Sequence, residues 1–597
     1  MTSVCQANTP VKRDMRQHEP GQPSKQTPAR IWAINRALVQ AARNGGELPA
    51  DIDLAEKHRV SERTVRDIRL RTLGLNRHEL KHWRRQGAQA LAAQRPAERE
   101  LVCSTPYAGL WLLVPQLIDS GLAQAAHTLQ IVGRTRVQAI QIVLTLVAWS
   151  ALGLRRLFHV DDFRHWADMG LALFTGRLRL WSDTTMWRWV HGVTPESALA
   201  FYQTTASQAA GHPGSRGRFS LDEHVVPSFT KRKPRPLGKT RVPSRGRAYP
   251  AFRLYALFDP DLGRFAGLLV RKAREALSQV LPDLLAEVRQ LRRRAKVQHP
   301  ARVRLIFDRG GYKGSLFEDL LADPNVSFIA MSRATGANVR QCEAIPARRF
   351  RPYQPEGEDN PNLKVARSVT RVNDCKYPVP SVVIRDDTPD TKQRWRVLFF
   401  KNEPGRRPHA ETIDSEYRQR QHHELGFAEY VHALVGHSLP KAYQMFRVPN
   451  AQGQKRKTVA TAETADSQRA VHLLAWIKFL TFNLIKDVGA ALGKGYAHLP
   501  VPSGRTVQVA TLARRYIRRP GRLYLHAGQL IVQLDPFRGD EALEPFIRQL
   551  NQRHLPIPWL SELILRVEFA AQPQGLAAIP NILGQKTLAN YSPAGPW

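Results

Sequence analysis

The order of strand-like and helical runs between residues 219 and 331 constrains this chain more than anything else in it. Short runs of β-branched and aromatic residues at 219–222, 252–258, 265–270, 303–307 and 327–331 each read as a strand. Helical patterns fill 275–294 and 313–321, between the later strands. Three strands in succession, then helix, strand, helix and strand, predict an α/β core.

That order is the one found in an RNase H-like fold, and the flanking segments make the chain multidomain. Residues 1–28, rich in Pro, Gln, Lys and Arg, read as a disordered basic tail. Residues 29–100 read as a helix-turn-helix domain and 105–210 as an all-helical domain. Trp187 and Trp189 in the latter suit a core better than a base-stacking platform. The core's first part spans 215–332. A Pro-rich, polar stretch at 333–402, with strand-like pieces at 381–384 and 395–400, reads as a β-rich insertion. The core resumes over 403–490 with a long helix from about 413 to 434 and an apolar helix from about 467 to 488. A small mixed region, 491–597, holds strands near 522–525 and 530–534.

The expected fold class is therefore an N-terminal all-α helix-turn-helix and helical region, an α/β RNase H-like core with a β-rich insertion, and a small mixed C-terminal region.

Charge narrows the partners. The chain carries 89 Lys and Arg against 51 Asp and Glu, a formal charge of +38. Repulsion among so many like charges opposes the compact state unless a polyanion relieves it. Nucleic acid does so through phosphate contacts that release counterions. A membrane surface is the weaker alternative. The longest apolar run, 137–154, carries Gln138, Gln141, Thr145 and Ser150. It suits a buried helix, not a span of roughly 20 apolar residues. Residues 1–25 are polar and resemble no signal peptide. Cys5, Cys103, Cys342 and Cys375 form no CxxC pair and read as reduced thiols, although Cys342 and Cys375 are free to meet in space.

Two basic features suggest DNA contact. In the segment DLAEKHRVSERTVRDIRL, Leu54, Ala55, Val60, Val65 and Ile68 fall where a helix-turn-helix packs its two helices. Ser61 is placed to cap the second helix. Arg63 and Arg66 are the expected base or phosphate readers, although an ordinary helical hairpin has the same pattern. The run KRKPRPLGKTRVPSRGR lies between the first two strands of the core, and its Lys231, Arg232, Lys233 and Arg235 suit a DNA backbone as well as a solvated loop.

Phosphodiester chemistry calls for carboxylate oxygens that hold two hard divalent ions about 3.5–4 Å apart. Asp222 follows an apolar run in the first strand, where an unpaired carboxylate is costly to bury. Asp308 ends the run VRLIF and precedes Arg309-Gly310-Gly311-Tyr312, whose glycines permit a sharp turn. Either Asp also suits a turn or cap, as does Asp259. Tyr417, Arg420 and Glu424 fall within about 60° on one helical face. Arg420 and Glu424 also form an i, i+4 pair of the kind seen on salt-bridged surface helices.

The spacing Tyr-x2-Arg-x3-Glu, with the FSLDE and IFDRGGY segments and the lead-in LFFKN, resembles the bacterial insertion-sequence DDE transposases that carry a YREK-type motif and a β-rich insertion. The resemblance spans roughly residues 215–490. It implies an RNase H-like core in which Asp222, Asp308 and Glu424 bind two Mg²⁺, with Mn²⁺ as a substitute. Tyr417 and Arg420 would hold DNA phosphate near the cut. It also implies double-stranded DNA partners (transposon terminal repeats and target DNA), a homodimer or larger assembly on DNA, and a bacterial cytoplasmic, nucleoid-associated location without a membrane. The family's lysine, seven residues after Glu, is Val431 here, beside His432, and the next lysine is Lys441. A metal-dependent nuclease of the same fold and a domesticated, non-catalytic DNA-binding regulator are the alternatives.

Overall fold

The computed structural model describes residues 49–73, 99–131, 137–155, 168–227, 239–242, 246–333, 335–355, 358–389, 394–403, 408–437, 447–449, 455–457, 463–493, 508–537 and 540–570, with isolated residues elsewhere. The expected tail at 1–28 and the basic residues Lys231, Arg232, Lys233 and Arg235 lie outside the described residues. Two compact units emerge: Met1–Glu100 with Leu525–Gly528 and Ser561–Leu563, and the remainder.

In the first unit, α1 (Asp51–His58) and α2 (Glu62–Leu73) flank a tight turn. Arg59 adopts left-handed backbone geometry at φ 49°, and Val60 N–H donates to Ala55 O at 2.9 Å, which closes the end of α1. Ser61 Oγ accepts from Thr64 N at 3.2 Å and caps α2, as its position implied. Leu54, Ala55, Val60, Val65 and Ile68 form one buried cluster with Ile34 and Leu38.

The second unit begins with β1 (Glu100–Thr105) and then turns helical. The run expected to be a buried helix is α5 (Ala139–Ala151), buried along almost its whole length; α3 (Val114–Asp119) and α4 (Leu122–Ala126) precede it. It is followed by α6 (Met169–Phe174), α7 (Asp183–Gly192) and α8 (Pro195–Ala210). Trp189 is core, whereas Trp187 is half-buried and meets His191 edge-on.

The central ten-stranded sheet holds β2 (Arg218–Pro227), β3 (Lys239–Val242), β4 (Arg247–Asp259), β5 (Arg264–Lys272), β6 (Val303–Phe307) and β7 (Val326–Met331). β5, β4 and β2 run antiparallel, β6 joins β2 in parallel, and β7 joins β6 in parallel. The connections into the parallel strands are α9 (Leu277–Arg294) and α10 (Gly314–Ala322). All five strands sit where the sequence placed them, four with longer ends and β6 to the residue.

The stretch 333–402 was expected as an inserted β-rich subdomain, and here the structure differs. After α11 (Gly336–Glu343), which the sequence reading missed, come β8 (Arg351–Pro352), β9 (Leu363–Thr370), β10 (Val379–Asp386) and β11 (Trp395–Lys401). β11 pairs antiparallel with β7, and β10, β9 and β8 follow outward, so these strands lengthen the central sheet. The reason is an open edge: β7 has unpaired backbone groups on its outer side, and a new strand satisfies them.

The long helix expected at 413–434 is two segments, α12 (Ala410–Arg418) and α13 (Arg420–Ala433), joined at Gln419. Gln419 has φ −60° and ψ −16°, tighter than α-helical geometry, and its carbonyl accepts from His422 N at 3.0 Å. The turn lets each segment face its own part of the sheet. Ala410, Ile413 and Tyr417 of α12 share a buried cluster with Ile306, Ile329, Leu398 and Phe400, whereas α13 packs on β2 through His423, which stacks on Phe258 of β4.

The other sheet edge, β5, is closed by side chains. From α14 (Glu463–Ala491), Asn483 accepts from Phe265 N at 3.0 Å and donates to Phe265 O at 2.8 Å. His472 Nε2 meets Leu268 O at 3.0 Å, and Tyr202 Oη accepts from Leu268 N at 3.0 Å. Burial pushes the His472 imidazole down to about 4, so Nε2 donates as a neutral ring.

After the short hairpin β12 (Arg447–Pro449) and β13 (Lys455–Lys457) and helix α15 (Val509–Leu512), the C-terminal region supplies β14 (Gly521–His526), β15 (Gln529–Leu534), α16 (Glu544–Gln552), β16 (Pro556–Ile557) and β17 (Leu563–Phe569). With β1 these strands form a second, five-stranded sheet of mixed direction. Cys103, Cys342 and Cys375 form no disulfide, so Cys342 and Cys375 do not meet covalently. Among the described residues no helix is long and apolar enough to cross a membrane.

Candidate active site

Leu221 of β2 and Phe307 of β6 are the last partners in that parallel pairing. Asp308 follows directly on β6, and Asp222, in the middle of β2, is the first residue beyond that pairing, so the two carboxylates stand on neighbouring strands just past their last parallel pair. Parallel pairing makes this possible because both strands run in the same direction up to that point. Asp308 Oδ1 accepts from Gly310 N at 2.8 Å, which folds the loop back over the strand end. A Cβ on Gly311 would stand 2.5 Å from the Phe307 ring, so the turn requires glycine there.

Asp222 Oδ1 accepts from Glu223 N at 2.9 Å, and its Oδ2 accepts from Arg420 Nη1 at 3.0 Å. Burial pushes the Asp222 carboxyl up to about 6; Arg420 opposes this, while the negative charges of Asp308 and Glu424 reinforce it. Both carboxylates are thus close enough to act on Asp222. Arg420 Nη2 also donates to Glu424 Oε1. A surface salt bridge within one helix would need only this last contact. The added bond to Asp222, at 15% side-chain exposure on each partner, ties α13 to β2.

Tyr417 is buried one turn earlier, and the Arg420 guanidinium carbon lies 5.9 Å from its ring centroid. Burial raises the Tyr417 phenol, with Arg420 acting against it. All five residues of the expected constellation therefore gather at one place. Among the described residues, however, no three His, Cys, Asp or Glu side chains stand close enough together to hold a metal ion as placed. Arg420 supplies the positive charge between Asp222 and Glu424 instead. As a donor set, two Asp and one Glu offer only hard oxygens, the chemistry Mg²⁺ takes.

Sequence reasoning missed His423, next to Glu424. It is fully buried, shares a hydrogen bond with Ser220 Oγ at 3.1 Å, and stacks between Phe258 and Phe427. Burial, and then the Arg420 charge, push its imidazole down, so the ring is neutral. The only available signal was its place in the His-His-Glu run. Two residues beyond Asp222 on β2, His224 Nε2 lies 2.9 Å from His437 Nε2, a pairing invisible in the sequence. Val431, where the resembling family has lysine, is half-buried on α13.

In the first unit, Arg63 is exposed. Arg66 is half-buried, and its Nε is buried without a hydrogen-bond partner, so Arg63 is the more open of the two expected readers. Arg69, not singled out before, is fully buried and clamps Asp51 through Nε at 3.1 Å and Nη2 at 2.8 Å. Past the basic run at 231–235, Lys239 of β3 is exposed.

No protein-family model matches the chain, and no curated protein matches it. Among solved structures it is similar to the cryo-EM structure of a piggyBac transposase synaptic complex with hairpin DNA, at 12% identity and a TM-score of 0.35, over 70% of this chain and 82% of that one.

Proposed function

We propose that this chain is a DNA transposase with an RNase H-like core, cutting at the ends of a mobile element and joining the freed 3′-hydroxyl to target DNA. One observation carries the reading. Asp222 and Asp308 stand just past the last pair of the parallel strands β2 and β6, and Arg420 ties the helix bearing Glu424 to Asp222. The antiparallel strands β5, β4 and β2, followed by helix, β6, helix and β7, support the RNase H-like assignment. The formal charge of +38 supports a nucleic-acid substrate.

In this reading Asp222, Asp308 and Glu424 hold two Mg²⁺, or Mn²⁺ in their place. When bound, such ions lower the pKa of an attacking water or hydroxyl and stabilise the leaving oxygen. The protein's own part is positioning. Neutral His423 and its aromatic neighbours fix the orientation of α13 on the sheet, so Glu424 has a defined approach. Arg420 neutralises two carboxylates that would otherwise repel each other, and its planar fork suits a phosphate oxygen when DNA binds. The head formed by α1 and α2 reads the element's terminal repeats, and the protein acts as a dimer or larger assembly on paired ends.

Purified protein, end-containing duplex DNA and Mg²⁺ test this directly. Joined products are expected. Cut but unjoined DNA would make the chain a nuclease, and binding without cutting would make it a regulator. Asp308→Asn is expected to abolish cutting while leaving binding intact; normal cutting by that variant removes the proposed site.

A further inference from the structure

Beyond β2 and β6, which carry Asp222 and precede Asp308, the parallel strands continue to β7. In the parallel β6–β7 register the last pair is Phe307 with Ala330, so the turn Asp308–Gly311 leaves β6 where β7 ends at Met331, two residues before Arg333. Arg333 is held on two sides. Its Nε donates to Arg309 O at 3.2 Å, and its guanidinium carbon lies 5.9 Å from the Tyr312 ring centroid.

A buried amide fixes the Tyr312 ring and the backbone at Arg333. Asn338, 3% exposed, has its Nδ2 within 2.9 Å of Arg333 O, 2.8 Å of Ser332 Oγ and 3.1 Å of Tyr312 Oη. The backbone under Arg333 and the ring beside it therefore move as one piece. Arg333, Arg309 and Lys313 are all exposed. Among the described residues, no carboxylate pairs with any of them.

Three exposed cations beside one strand end repel one another unless an anion joins them. A guanidinium pinned at Nε keeps its terminal nitrogens as a ready fork, the geometry that phosphate oxygens accept. We propose that Arg333, with Arg309 and Lys313, is a binding site for the DNA backbone phosphates flanking the cut. This rests on the transposase reading for its substrate. It adds a track across β2, β6 and β7, from Asp222 past Asp308 to Arg333, that the motif residues do not include.

The test is fluorescence anisotropy of the full chain with a labelled 30-base-pair duplex, without divalent ions, across a salt series. Arg333→Gln is expected to weaken binding about fivefold and to lower the slope of log K against log salt by about 1, whatever the DNA sequence. Arg333→Lys keeps the charge, so the slope should stay while affinity falls part-way. Arg522→Gln, an equally exposed cation on the five-stranded sheet, serves as the control and should change neither quantity.

Wild-type binding by Arg333→Gln, or an equal loss in Arg522→Gln, overturns the site. So does a wild-type chain that binds no duplex. A cutting assay in Mg²⁺ separates this proposal from the reading beneath it. If the chain cuts and joins DNA but Arg333→Gln binds normally, the track fails and the transposase stands. If Arg333→Gln loses binding in a chain that never cuts, the track stands and the transposase fails.

Discussion

Arg420 Nη1 donates to Asp222 Oδ2 at 3.0 Å, a bond between residues 198 positions apart in the chain. It joins the helix bearing Glu424 to the strand bearing Asp222, and it places a permanent cation among three carboxylates. Replacing Arg420 by Gln is expected to lower cutting by about 10²-fold, the scale found when one donor to developing charge is removed. Lysine should not restore it, because one ammonium cannot span both carboxylates as the fork does. Single-turnover cleavage of an end-containing duplex checks both variants. Retention of more than a third of the wild-type rate by Arg420→Gln would remove its role.

Asp222 carries a stability cost that follows pH. Its carboxyl is pushed from an ordinary 3.8 to about 6 in the fold, mainly by burial. The folded chain therefore holds that proton more tightly than the unfolded chain does. The favourable contribution is present below about 4 and is lost as pH rises through about 6. At about 1.4 kcal/mol per pKa unit, the penalty at neutral pH is on the order of 2–3 kcal/mol. Asp222→Asn should melt a few degrees higher than wild type at pH 7.5 in EDTA and match it near pH 4. Mg²⁺ should raise the melting temperature of the wild type and not of the variant. A constant difference at both pH values in differential scanning fluorimetry would refute this account.

The C-terminal end of α13 is held by two cations, Arg518 and the buried Lys478. Lys478 Nζ donates to Leu434 O at 2.6 Å and Val435 O at 2.9 Å, and Arg518 Nη2 donates to Ala433 O at 3.0 Å. Val435 sits in left-handed geometry at φ 50°, a conformation that needs such support in a β-branched residue. Lys478→Met is expected to cost on the order of 2 kcal/mol by leaving buried carbonyls unpaired. Hydrogen exchange should quicken at 430–437 before it does at β6. Unchanged protection in that segment would mean the clamp does not hold the helix.

Arg63 is exposed on α2, while Arg66 is half-buried. Arg63→Gln should cost about 1–3 kcal/mol of binding to the element's own end sequence and much less to unrelated duplex. Competition binding with both DNAs measures the ratio. Equal losses on both would make Arg63 a phosphate contact and not a base reader.

Strand existence was legible because short β-branched and aromatic runs are local signals, and β6 matched to the residue. The cap at Ser61 and the cluster of Leu54, Ala55, Val60, Val65 and Ile68 were legible for the same reason. The Tyr417, Arg420 and Glu424 spacing was legible as a face. Its break at Gln419 was not, since no Pro or Gly marks it and the two segments answer to different surfaces. Strand β9 escaped notice because Lys364, Arg367 and Ser368 dilute its apolar alternation.

By itself the sequence determined which segments become strands and helices, where carboxylates stand on them, and that the surface is strongly cationic. Each follows from the chemistry of neighbouring residues. Only the tertiary structure decided that the strands after residue 333 extend the central sheet, that Asn483 and His472 close its far edge, and that Arg420 reaches Asp222. Those are choices of partner between distant parts of the chain. They depend on which backbone groups and charges remain unsatisfied once the rest has packed, and no local pattern records that.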